Sequence, residues 1–501
     1  MLFNSYIFIF VFLPITLIAF FTLTKFRLTN LAKIGLTVAS FIFYGYWHIV
    51  EHGRYDYLLL LIFSILFNHQ MGEAIARHIA VDRVKQAKIF LWIGIIINLI
   101  YIGYFKYANF LFSSVNGIAN TNFNFDKIIL PLGISFYTFT QIAYLVDAYR
   151  GETKDDKYDP LTYSLFVSFF PQLIAGPILR HDELIPQFRK LKNFIFSQKN
   201  FAIGVTLFSL GLCKKVLIAD MLSPGVATIF NSATDVNFLE AWVGALSYTF
   251  QLYFDFSGYS DMAIGLGLMF NIELPINFNS PYKATSISDF WRRWHITLSN
   301  FLRDYLYIPL GGSRKGEFRR YFNLITTMLL GGLWHGAGWT FVIWGGIHGI
   351  YLSLNHAWRT YGFSLPKIIA WFITFMGVVA SWVLFRALTL QDGVEILKAM
   401  VGMKGIVIPG EAAGKLGFLT NFGIQLESWR DLTYLPEINE SKMLTLVALF
   451  ALLIAVNFLP NTQQIIQKLK PTWWWAMGIG LLTSYCLLSL NRVSEFLYFQ
   501  F

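Results

Sequence analysis

"YFNLITTMLLGGLWHGAGWTFVIWGGIHGIYLSLNHAW", residues 321–358, contains no Asp, Glu, Lys or Arg. As helix it is too long for one crossing of a bilayer core about 30 Å thick and slightly short for two. Glycines 331, 332, 336 and 338 bracket Leu-Trp-His. The pattern predicts two helices that meet near Trp334–His335, with small residues letting the backbones approach closely. The fifteen steps from Arg320 to His335 then carry the imidazole roughly 20 Å inward from the charged edge. A segment of this kind belongs in lipid.

The surrounding chain agrees. Of 501 residues, 55% are hydrophobic and 14% charged, and mean hydropathy is +0.53. No water-soluble domain has this balance. Runs such as Tyr6–Thr24, Ile34–Val50, Ile89–Phe112, Phe201–Met221, Ile368–Phe385, Met443–Leu459 and Trp474–Leu490 approach the ~20 apolar residues of a transmembrane helix. The expected fold class is all-α: a polytopic membrane protein of roughly ten to twelve segments plus re-entrant helices. The first run has neither a basic leader nor a small-residue cleavage site, and reads as an uncleaved first span. The whole chain, 1–501, reads as one membrane domain: amino-terminal helices over 1–240, a polar-residue-bearing core over 241–358, and carboxy-terminal helices over 359–501. Within the last part, residues 389–440 form a more polar insert of loop or surface helix.

Net charge is +10. On a polytopic chain this expresses the Lys/Arg excess of cytoplasmic loops and not nucleic-acid binding. The basic residues gather at 25–33 (Lys25, Arg27, Lys33), 77–88 (Arg77, Arg83, Lys85, Lys88), 179–199 and, above all, 283–320. Those loops are assigned to the cytoplasm, and the Asn-rich "SSVNGIANTNFNF", residues 113–125, to the opposite side. Both 147–160 and 179–199 carry cations, with only a Pro/Gly-interrupted apolar stretch between them. Residues 161–178 are therefore either a re-entrant segment or an ordinary span with a mixed-charge outer loop. The two cysteines, Cys213 and Cys486, lie in apolar segments and read as packing residues, without a disulfide or metal site.

Ionisable groups inside membrane segments are costly and usually functional. His335 sits in a glycine-rich break, where distance from water favours the neutral imidazole that a general base needs. His348, one stretch later, reads as structural. In "DFWRRWHITLS", residues 289–299, helical spacing from about Ser288 places Ser288, Trp291, His295 and Leu298 on one face, with Arg292 and Arg293 turned away. With Lys283, Arg303, Arg314, Lys315, Arg319 and Arg320, this stretch forms a cationic mouth suited to a phosphorylated ligand. The bland alternative is an amphipathic surface helix with snorkelling arginines. Asp255, Ser257 and Asp261, around Gly258, read as capping a helix break, with proton or ion relay as the alternative.

The stretch from "FDFSGYSDMAIG" through "SDFWRRWHITLSNFLRDYLYIPLGGSRKG", followed by "LLGGLWHGAGWTFVIWGGIHG", resembles the bacterial alginate O-acetylase branch of the membrane-bound O-acyltransferases (MBOAT). The likeness extends to "FLPI", "PLGISFYTFTQIAYLVDAYRG", "FFPQLIAGPILRHDELIPQF" and the closing "FLYFQF"; it is weakest over 389–440. The resemblance implies helices around a central tunnel and an essential WHG histidine, His335, as general base, with the WHITLS histidine, His295, as a second catalytic residue that either holds the thioester or donates a hydrogen bond to the developing oxyanion. It also implies acetyl-CoA as cytoplasmic donor, with no bound cofactor, gathered by Arg292, Arg293, Arg314 and Lys315 with Trp291 and Trp334. The acceptor is then a secreted or cell-wall polysaccharide, alginate-type first and peptidoglycan second. The resemblance implies a periplasmic acetyltransferase partner as well, with which the lack of a nucleophile elbow in this chain agrees. The setting is the bacterial inner membrane. Two rivals stand: acyl transfer to lipid or protein, and a proton-coupled transporter, which predicts symmetry between sequence halves that the chain lacks.

Overall fold

The computed structural model describes residues 1–121, 128–153, 158–174, 176–410, 417–438, 440–470, 472–490 and 497. Residues 122–125 of the Asn-rich loop, part of the loop 147–160 and most of the closing "FLYFQF" lie outside them. The architecture is all-α. Among the described residues the only paired strands are Ile406–Pro409 and Ile424–Glu427, a parallel two-stranded ribbon inside the polar insert. Among the described residues, five helices are long and apolar enough to cross a membrane: Phe8–Lys25, Asp56–Ala80, Val84–Ala119, Gln198–Asn231 and Lys367–Arg386. Lys442–Phe458 and Trp473–Leu488 are shorter apolar helices. The protein is a multi-pass membrane protein. Its backbone contacts divide it into two compact units, Met1–Gly211 with Tyr259–Ile276, and Leu212–Gly258 with Asn277–Phe501.

In the first unit, Asp56–Ala80 packs against both Val84–Ile102 and Ile134–Tyr149. Leucine and isoleucine dominate the lipid-compatible faces, so specific pairing falls to the few polar side chains. Asn68 and Asn98 supply it by reciprocal amide bonds of 3.2 and 2.6 Å. Phe8, Phe12, Phe43 and Phe170 form an aromatic core, and the buried Met1 amino group donates to the Phe43 carbonyl. Residues 161–178 contain no continuous span: Pro160–Ser168, nine residues long, stops at Phe169, and Phe170–Leu173 follows as a single turn. Nine residues reach only about 13 Å, too short to cross a bilayer core.

The second unit is organised by the stretch quoted first. Glu317–His335 and Trp339–Thr360 form the expected hairpin, broken over Gly336–Gly338. A Cβ on Gly332 would collide with the Phe341 carbonyl, and one on Gly345 with that of Met328. Glycine is the only residue that permits this approach. Lys367–Arg386 and the short helix Ile287–Trp291 pack on Trp339–Thr360, and Trp294, Trp344, Trp382 and Phe385 fill the space among them.

The expected helix break at Asp255, Ser257 and Asp261 is absent. Phe238–Met269 is one uninterrupted helix of 32 residues, because a break in an apolar interior would orphan backbone groups that nothing could satisfy. Asp255 does not cap. It meets Lys215 Nζ, which also holds Asp220 at 2.8 Å. Lys215 lies in a π-turn, Lys214–Ala219, within Gln198–Asn231. Cys213 and Cys486 touch as free thiols.

Candidate functional site

The single helix expected across "DFWRRWHITLS" does not form. Ile287–Trp291 is capped by the Ser286 hydroxyl, the chain turns over Arg292–Trp294, and a second helix, Ile296–Leu302, begins after His295. Ser288, Trp291, His295 and Leu298 therefore do not share one helical face. His295 itself is left-handed, with φ 42° and ψ 56°, a conformation costing a non-glycine residue on the order of 1–3 kcal/mol. It is held there by the extended segment before the first helix. Asn279 N–H donates to the Arg293 carbonyl at 2.9 Å and Ile296 N–H to the Asn277 carbonyl at 3.0 Å.

The turn removes His295 from any surface: it is 0% exposed, and burial pushes its imidazole below the usual histidine range. Its neighbours are Phe256, Trp334 and His335, with the two imidazole centroids 6.3 Å apart. Thus the WHITLS and WHG histidines, 40 residues apart in sequence, lie side by side. His335 ends its helix, lies among Trp334, Trp344 and Phe385, and keeps 8% exposure. His295 Nδ1 lies 3.1 Å from Asn277 Oδ1. That oxygen also receives the Thr297 backbone N–H at 3.3 Å and the Thr297 hydroxyl at 3.0 Å. A backbone N–H can only donate, so the amide is oriented oxygen-inward, Nδ1 carries the proton, and Nε2 of the neutral ring keeps its lone pair. Nε2 is buried and makes no hydrogen bond with any described group.

The remaining expected site residues divide. Trp334 lies against both histidines. Trp291 is turned to His348, donating from Nε1 to Nδ1 at 3.2 Å. Arg293 pairs with Asp289 at 3.0 Å, Arg303 with Asp304 at 2.7 Å, and Lys283 caps the Leu459 carbonyl. Arg292, Arg314 and Lys315 are exposed and make no ion pair among the described residues. Arg314 and Lys315 ride a loop whose Gly311, Gly312 and Gly316 all have positive φ, pinned by Asn323 Nδ2 on the Gly312 carbonyl. Arg319, also exposed, likewise makes no ion pair among the described residues, so the mouth foreseen as one cationic cluster is partly neutralised and keeps four open charges among them.

Two polar groups escaped sequence reasoning. Asn277 carried no signal, since its partner lies 18 residues away across a turn that periodicity does not reveal. In the first unit, Asp147, Glu152 and His181 bring one ligand atom each within 4.8 Å of one another. Arg150 and Arg180 occupy Asp147, Arg180 also holds Glu152 at 2.8 Å, and the Tyr158 hydroxyl bonds His181 Nδ1. Arginine already supplies the positive charge that a cation would bring.

Residues 149–386 match the family model described as MBOAT, membrane-bound O-acyltransferase family. The chain is 42% identical to the peptidoglycan O-acetyltransferase of Helicobacter pylori, over 100% of its own length and 98% of that protein's. It is 45% identical to the probable alginate O-acetylase AlgI of Pseudomonas aeruginosa, over 80% of this chain and 75% of that one. The teichoic acid D-alanyltransferase of Streptococcus thermophilus is 28% identical, over 51% and 68% respectively.

Proposed function

Because this chain belongs to the membrane-bound O-acyltransferase family, we propose that it draws acetyl groups from cytoplasmic acetyl-CoA and delivers them across the inner membrane for O-acetylation of a cell-surface glycan. It is an O-acyltransferase; the donor, the route, the acceptor and the partner are the proposal. The observation that carries it is the pair His295–His335, two imidazoles 6.3 Å apart where the turn before Ile296–Leu302 meets the glycine-rich break after His335, close enough for one small reacting group to touch both. His335 takes the proton of the attacking hydroxyl, whose oxygen bonds to the thioester carbon; the carbon–sulfur bond breaks and the thiolate leaves. General-base help of this kind is worth about 10²–10⁴-fold. His295, with Nε2 unprotonated, is suited to accept a hydrogen bond, as from an amide N–H of the pantetheine arm, and not to donate one to an oxyanion. Its tautomer thus favours holding the donor.

Similarity to the peptidoglycan O-acetyltransferase extends over the entire chain, including the insert at 389–440 and the carboxy-terminal helices. This supports peptidoglycan as the acceptor. The second reading is an alginate-type exopolysaccharide, supported by 45% identity over 80% of the chain. In either case a periplasmic acetyltransferase receives the acetyl group at the far side, at the end of a tunnel through the helices.

A deletion strain complemented with wild-type or His335→Ala protein tests both points. Ester acetate is measured on purified peptidoglycan and, separately, on secreted polysaccharide, alongside the detergent-solubilised yield of each protein. Acetate should disappear from peptidoglycan with His335→Ala at normal yield. Loss confined to the secreted polysaccharide selects the second reading, and near-normal acetylation of both sinks the catalytic assignment.

A further inference from the structure

We propose that Asn277 is a positioning residue that fixes the tautomer and the strained backbone of His295, so that Nε2 faces the acyl donor as an acceptor; this rests on the donor-holding reading of His295. One oxygen does both tasks. Asn277 Oδ1 takes His295 Nδ1–H at 3.1 Å and the Thr297 backbone N–H at 3.3 Å. The second contact is the bond that the side chain of a helix N-cap ordinarily supplies. His295 is the N-cap of Ile296–Leu302 and gives no side-chain capping bond. Its ring is thereby released from capping and turned inward. Asn277 provides the cap from outside the helix, and the Thr297 hydroxyl at 3.0 Å adds a third contact. Asn277 is itself 1% exposed and anchored by its backbone carbonyl on Ile296 N–H.

The hydrogen bond at one imidazole nitrogen decides which nitrogen is bare at the other. Without Asn277 Oδ1, the proton is free to sit on Nε2, and a ring in that form can no longer accept there. Among the described residues, the titratable group facing His295 is His335; Phe256 and Trp334 are its other ring neighbours.

The test uses full-length protein labelled with ¹⁵N-histidine in lipid nanodiscs, the His295 signals being those lost in His295→Gln. Wild type should show a protonated Nδ1 and a bare Nε2. Asn277→Ala should shift the pattern towards protonated Nε2 and raise the KM for acetyl-CoA about tenfold or more, with a smaller change in kcat. Asn277→Asp keeps an acceptor at the same place, so it should retain the wild-type tautomer and near-normal KM at pH 8. Its carboxylate raises the His295 pKa, however, and a protonated ring cannot accept. Activity should therefore be present above that pKa and be lost as pH falls through it, at a higher pH than in wild type. Asn277→Asp also keeps the test open should Asn277→Ala fold poorly. Unchanged ring signals in folded Asn277→Ala, or an unmoved pH limb in Asn277→Asp, overturn the positioning role. Altered signals with wild-type KM overturn instead the donor-holding reading beneath it.

Discussion

His348 and His295 belong to the same unit, and both are 0% exposed. They differ in what is left over. Trp291 Nε1 donates to His348 Nδ1; indole nitrogen cannot accept, so His348 carries its proton on Nε2 and gives it to the Ser381 hydroxyl at 2.9 Å. The Ser381 hydroxyl in turn donates to the Val378 carbonyl at 2.7 Å. The chain ends with every polar group satisfied. His295 spends one nitrogen on Asn277 and leaves the other bare in a strained backbone. Burial alone therefore does not mark a functional histidine; unspent hydrogen-bonding capacity and stored strain do.

Lys215 falls on the satisfied side of this divide, and it carries the largest expected stability effect. Its ammonium is shared between Asp220 and Asp255. Lys215→Met keeps the volume but leaves two buried carboxylates facing each other, which should cost about 3–5 kcal/mol. The thermal midpoint of detergent-solubilised protein should fall sharply, and the triple change with Asp220→Asn and Asp255→Asn should recover much of the loss. A small loss in midpoint accompanied by abolished transfer would move Lys215 to the functional side.

The histidines themselves come next. His295→Ala should lower acetyl transfer per folded molecule by tenfold or more, about 1.4 kcal/mol, with a modest change in midpoint. His348→Ala should do the reverse, since it strands the Trp291 N–H and the Ser381 hydroxyl at about 1–3 kcal/mol for such unsatisfied groups. Its transfer per folded molecule should stay within about threefold, roughly 0.7 kcal/mol. Equal effects of both substitutions on both readouts would break the distinction between spent and unspent rings.

Sequence reached the hairpin Glu317–His335 and Trp339–Thr360 because its signals are local: an unbroken apolar run, then four glycines around Trp334–His335. It placed His335 at the junction of the two helices for the same reason. It failed at His295 because "FWRRWHITLS" satisfies helical spacing throughout, and the turn that breaks it is held by Asn277 through tertiary bonds. The continuous helix through Asp255 was hidden likewise. A buried aspartate beside Ser257-Gly258 resembles a cap until its counter-ion, 40 residues earlier, is seen. The parallel ribbon of the insert joins short strands that carry no alternation long enough to read. Where the partner is distant, local pattern gives the residue's importance but not its role.

The smallest expected effect lies at the surface, where capacity is unspent for a different reason. Arg314 and Lys315 are exposed on a glycine-pinned loop and make no ion pair among the described residues. Unlike the Nε2 of His295, these charges are fully hydrated and their fields are screened over about 8–10 Å at ordinary ionic strength. Their attraction for the phosphates of acetyl-CoA is therefore weak per charge and sensitive to salt. Arg314→Gln with Lys315→Gln should weaken acetyl-CoA binding about three- to tenfold at low salt, roughly 0.7–1.4 kcal/mol. The difference from wild type should shrink as sodium chloride is raised, with the maximal rate almost unchanged. Titration of binding at two ionic strengths separates this from the deeper site, because a defect at His295 does not fade with salt. Unchanged affinity in the double variant would place the donor's phosphates away from this loop, and a salt-independent loss would mean that the loop acts through structure and not through charge.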